Sequence, residues 1–133
     1  MEMTAYMNGI AAELAAALPS RVVTRGYVDF SQRDESALEK GVYTFVSMGI
    51  EGMRAIKPRG GVHSVFLLAQ CKLAESAHPW AAEDAEFGFL EEITAWLDTR
   101  ACQDLSLKAW RQSGQLDAPF AWCVFEMERK STY

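Results

Sequence analysis

No Cys-x-x-Cys or His-x-x-x-His pair occurs in this sequence, and its histidines number two, His63 and His78. Zinc centres and nucleophile–base pairs draw on these residue types at such spacings. On an extended strand His63 and Cys71 share a face but stand about 26 Å apart at ~3.3 Å per residue, too far to share a metal. The three cysteines, Cys71, Cys102 and Cys123, are odd in number, widely spaced and set among apolar neighbours. That pattern fits reduced core thiols and a reducing compartment better than a disulfide framework. Gly60-Gly61 lacks the Gly-x-x-x-x-Gly-Lys-Ser/Thr pattern of a phosphate loop and reads as a turn.

Long apolar runs are also lacking. Stretches such as Val65–Ala69 fall far below the ~20 residues that cross a bilayer as a helix. The alanine-rich start carries Glu2 and Glu13 and no basic n-region, so an amphipathic helix in a protein that stays inside the cell is expected rather than a signal peptide. Basic charge is in deficit: the net charge is -5 and the pI ≈ 5.0. A negative field repels phosphates and anionic membranes, so neither a membrane nor sequence-specific nucleic acid is an expected partner.

What is present is an ordinary globular composition, 50% hydrophobic and 23% charged over 133 residues. That is enough for one domain, 1–133, with a single core. Ile10, Leu14 and Leu18 recur at helical spacing until Pro19 stops them. Arg21–Phe30 is rich in β-branched and aromatic residues and reads as a first strand. Ser31–Lys40 reads as a connection with a helical turn around Ser36–Glu39. Val42–Ile50 and Val62–Leu73 alternate with apolar side chains on both faces, as strands covered on both sides do.

Between these two strands, Arg54, Lys57 and Arg59 surround Pro58 in a basic hairpin connection. After Pro79 the period changes. Phe87, Leu90, Ile93 and Leu97, with Phe89 and Trp96, mark a helical stripe, and Glu83, Asp84, Glu86, Glu91 and Glu92 are expected on a solvated or subunit-facing surface. Leu105, Leu107 and Ala109 alternate in a fourth strand, and Phe120–Met127 forms a fifth. The predicted class is α+β, a mostly antiparallel sheet of about five strands flanked by two helices in the order α-β-β-β-α-β-β.

The segments Gly41–Ser47 (GVYTFVS), Phe66–Glu75 (FLLAQCKLAE), Ala82–Ile93 (AEDAEFGFLEEI) and the closing Phe125–Glu128 (FEME) resemble the tail terminator proteins of long-tailed bacteriophages and their prophage relatives, also termed minor tail or tail completion proteins. The resemblance implies a subunit that assembles as a hexameric ring, caps the tail tube, stops its polymerisation and presents the surface to which the head joins. It implies no catalytic residue, metal or cofactor. Its partners would be other copies of the chain, the tail-tube protein and a head-completion protein, met in the bacterial host cytoplasm during assembly and then in the virion tail.

On charge and predicted geometry, Arg54, Lys57 and Arg59 of the hairpin and Glu83, Asp84 and Glu86 of the helix are the expected ring or tube contacts, one copy docking head to tail on the next. A head–tail connector or neck protein would use the same ring logic. A small cytoplasmic enzyme or ligand-binding domain is the alternative of a different class, with Trp80, Trp96, Trp110 and Trp122 as pocket walls or, more simply, core anchors.

Overall fold

A computed structural model of the chain describes residues 2–26, 32–52, 60–74, 78–100, 104–114 and 119–132. Helix α1 spans Glu2–Ala17. It buries Met7, Ile10 and Leu14 at 3-4 spacing and ends just before Leu18 and Pro19. Strand β1, Val22–Arg25, is shorter than the expected Arg21–Phe30, of which residues 27–30 lie outside the described residues. Helix α2, Glu35–Lys40, occupies the place of the expected turn. Strands β2 (Val42–Gly52) and β3 (Gly60–Lys72), helix α3 (Ala81–Thr99) and strands β4 (Leu105–Gln112) and β5 (Phe120–Thr132) complete the predicted order.

The α2–β2 junction needs glycine. Gly41 has φ 88 and its N–H closes the helix onto the Leu38 carbonyl at 3.1 Å. A side chain there would be strained and would overlap the Arg21 guanidinium.

The fold is α+β, one five-stranded sheet in the order β1-β2-β3-β5-β4. β1 and β2 are parallel, and every other pairing is antiparallel. The two longest strands, β3 and β5, lie side by side at the centre in unbroken register from Gly60↔Thr132 to Lys72↔Phe120. Alternation divides them cleanly. His63, Val65, Leu67, Ala69 and Cys71 of β3 and Ala121, Cys123, Phe125 and Met127 of β5 are buried in the main core with α1 and α3. Burying each large apolar side chain contributes about 1.5–3 kcal/mol, so this face dominates the stability.

The opposite face carries Val62, Phe66 and Leu68 of β3 and Trp122 and Val124 of β5, all half-buried. Helix α2 covers one end of it. Arg33 donates to the buried Thr44 hydroxyl at 2.7 Å, and Lys72 pairs with Glu35.

Two readings of the sequence are corrected. The buried stripe of α3 is Ala82, Glu86, Phe89, Ile93 and Trp96, while Phe87 is 40% exposed. This 4-3-4-3 spacing places a carboxylate where apolar counting prefers Phe87. Phe89 meets the Tyr43 ring edge-on at 5.5 Å, and Trp96 lies 6.1 Å from Phe45, which locks the helix onto β2. In β4 a register shift between Leu107 and Ala109 interrupts the expected alternation, and Trp110 rather than Ala109 continues the core-facing set opposite Phe125. A bulge inserts one residue and so inverts every side chain beyond it.

Candidate interaction surface

The chemistry closest to a catalytic arrangement is a pair that the strand register brings together. Ser47 Oγ and His63 Nε2 are 2.7 Å apart across β2 and β3. A nucleophile and its base would share that distance. His63 is 2% exposed, and its Nδ1 has no hydrogen-bond partner among the described residues. If Ser47 donated to the ring, the ring proton would sit on Nδ1 and bury an unpaired N–H. With the proton on Nε2, His63 donates to Ser47 and only an acceptor goes unpaired, the less costly state. Burial, and then the positive charge of Arg129, hold the imidazole below the usual histidine range. A catalytic triad places a carboxylate there to stabilise the imidazolium, the opposite electrostatic arrangement. The pair is therefore a structural link beside the β2 bulge, which lies between Ser47 and Gly49.

This link has a pH signature. Around His63 lie Ser47 at 2.7 Å, the Tyr6 ring at 6.4 Å and Arg129, which stacks 3.6 Å from the Tyr6 ring centroid and faces Asp104 at 3.9 Å. Free histidine titrates at about pH 6.5. The folded value is lower, so just below that pH the unfolded chain binds the proton first, and stability falls as pH falls. Urea midpoints measured between about pH 7.5 and 5.5 should decline for the native chain. They should decline less steeply for His63→Gln. Equal slopes for the native chain and His63→Gln would remove His63 as the cause.

The remaining ionisable groups that cluster inside are structural. Glu86, 2% exposed, accepts from the Ser113 N–H at 3.2 Å, the Ser113 hydroxyl at 2.7 Å and the Trp122 N–H at 3.3 Å. Glu92 accepts from Arg21 Nε at 3.1 Å and Nη2 at 2.6 Å and from the Tyr43 hydroxyl at 2.8 Å. Burial pushes the Cys71 thiol up to about 11 and the Cys123 thiol up to about 12, so both are inert thiols at neutral pH. Cys102 lies outside the described residues.

Of the six expected contact residues, Glu83 and Asp84 are exposed in the first turn of α3. Glu86 is not on their surface, because the Ser113 N–H and hydroxyl and the Trp122 N–H claim its carboxylate. Arg54, Lys57 and Arg59 lie outside the described residues. The tryptophans also divide. Trp96 is core, Trp110 and Trp122 are half-buried, and Trp80 is 55% exposed with its ring stacked on His78 at 5.0 Å. The exposure of Trp80 and Phe87 was not legible in periodicity. The signal available was their seven-residue separation beside Glu83 and Asp84.

The open sheet face holds a groove of about 430 Å³ lined by Phe66, Ala109, Trp110, Arg111, Val124 and Glu126. Among the described residues no group of three or more His, Cys, Asp or Glu is placed to hold a metal ion. None of the described helices is long and apolar enough to cross a membrane. A scan against protein-family models gives no match, and no curated protein matches the chain at a significant level.

Proposed function

We propose that this chain is a structural assembly subunit, a phage or prophage tail terminator that closes into a ring on the end of a tail tube, halts its polymerisation and offers the head a joining surface. The observation that carries this reading is the second face of the sheet. Phe66, Leu68, Trp122 and Val124 stand half-buried on it, and α2 is the helix placed over that side, at one end, among the described residues. A contiguous apolar area of this kind on a small domain marks a surface that a partner covers. The resemblance of the sequence to tail terminators supplies the kind of partner, further copies of the chain and a tube subunit.

Native mass spectrometry of the purified chain, with electron microscopy of the chain added to growing tail tubes, tests the proposal. A closed ring and tubes that stop lengthening are expected. A chain that stays monomeric at high concentration and leaves the tubes uncapped overturns it. A ring that binds completed heads but ignores tubes favours a head–tail connector.

The groove on the same face favours a second reading, a ligand-binding domain, since its volume lies within the range of small-molecule sites. Arg111 and Glu126 would supply its polar contacts. Saturable binding of a small ligand by a chain that never self-associates would select this reading.

A further inference from the structure

Helix α3 has two unlike sides. Its buried stripe, Ala82, Glu86, Phe89, Ile93 and Trp96, faces the sheet. At 3.6 residues per turn Asp84, Phe87, Glu91 and Asp98 fall on the opposite side, in line with Trp80 at the helix start, and all five are exposed. Trp80 is 55% and Phe87 40% exposed, which makes them two of the three exposed large apolar side chains among the described residues; the third, Met48, belongs to β2. An aromatic ridge edged by carboxylates therefore points away from the sheet on the side that α3 covers.

The matching concavity is on the far side of the same sheet. Phe66 of β3 and Val124 of β5 are among the walls of the groove of about 430 Å³. Both alternate with core residues, Leu67 and Cys123, and so point to the face that α1 and α3 leave uncovered. The rim of this groove carries the opposite charge to the ridge. Arg111 lines it, and Lys108, in the β4 bulge beside Ala109, is exposed next to it. Glu126, the acid among the described lining residues, pairs with Ala109 one step along the strands from Arg111, so the two cations outnumber it. Ridge and groove stand back to back across the sheet, and within one copy they cannot meet.

We infer that the outer ridge of α3, led by Trp80 and Phe87, seats in the open-face groove of a second copy, where Asp84 and Glu91 pair Arg111 and Lys108. The contact rests on the assembly reading above and names its two halves. Complementarity selects the occupant: an apolar groove with cations at its rim meets an aromatic ridge with carboxylates at its edge. The neighbour's helix also gives this stretch of the sheet a second covering layer. Because the two halves differ and face opposite ways, the contact is heterologous and repeats from copy to copy, closing into a ring when the rotation permits. The aromatics carry most of the affinity and the rim charges its selectivity.

Reciprocal charge reversal tests both halves. One variant carries Asp84→Lys and Glu91→Lys, the other Lys108→Glu and Arg111→Glu; all four positions are exposed, so both variants should fold. Sedimentation velocity at low salt should show each variant associating roughly tenfold or more weakly than the native chain. An equimolar mixture should recover association, since the reversed ridge of one variant then meets the reversed groove of the other. Trp80→Ser with Phe87→Ser should weaken association by about thirtyfold or more. Its thermal midpoint should stay near the native value because both side chains are exposed. Weakening without recovery in the mixture overturns the groove as the seat of the ridge. Association that ignores all these changes overturns the contact while leaving the assembly reading intact. A native chain that never associates, alone or on tubes, removes both.

Discussion

Glu86→Ala is expected to lower the unfolding free energy by about 3 kcal/mol. The side chain is 2% exposed, and its two oxygens serve the Ser113 N–H, the Ser113 hydroxyl and the Trp122 N–H. Ser113 follows the last residue of β4, and Trp122 is near the start of β5. One carboxylate therefore fastens α3 to both arms of the β4–β5 connection. Alanine would remove the acceptor that these part-buried donors share, which costs more than the net worth of the bonds themselves. Glu86→Gln keeps an acceptor but turns an amide N–H₂ toward existing donors, so about half the loss is expected. Urea unfolding measures both. A loss below about 1 kcal/mol for the alanine variant would show that the connection finds other partners. Folded Glu86→Gln should associate as the native chain does, because the side chain is not at the surface.

Glu92→Ala is expected to cost about 2 kcal/mol. Glu92 receives both arms of Arg21 and the hydroxyl of the buried Tyr43, and Arg21 also donates to the Lys40 carbonyl at 2.9 Å. The hydrogen bond to Glu92 is the leading cause of the raised Arg21 pKa, and burial, followed by the Glu92 charge, holds the Tyr43 proton well above the phenol range. Loss of Glu92 leaves Tyr43 with an unpaired hydroxyl in the core and Arg21 resting over the Phe89 ring at 5.2 Å without its counter-charge. The side chains of Arg21 and Glu92 remain 23% and 27% exposed, so solvent screens part of the attraction and the loss stays below that of a fully buried pair. Tyr43→Phe should cost about 1 kcal/mol, and the double variant with Glu92→Ala less than the sum of the two. Strict additivity would mean that the hydroxyl and the carboxylate act independently.

Much of the fold was legible because its signals are local. Period-2 runs at Val42–Ile50 and Val62–Leu73 became β2 and β3, and the buried set from His63 to Cys71 is the one that alternation selects. The interaction surface was less legible. Counting apolar residues on α3 put Phe87 inside and Glu86 outside, and the structure reverses both, since a buried carboxylate is revealed only by the donors that meet it from another element. Ser47 and His63 are 16 residues apart in sequence, and a register that includes a bulge brings them within 2.7 Å.

The sequence by itself determined the α+β class, the element order, the two-faced character of the central strands and the opposite charges of the β2–β3 connection and α3. Each of these follows from neighbouring residues, through side-chain periodicity or composition. Only the tertiary structure decided that β5 enters between β3 and β4, that Trp80 and Phe87 face outward, and that Glu86 turns inward to the donors of Ser113 and Trp122. Those outcomes depend on pairing and packing between residues far apart in the chain, whose energies no local pattern records.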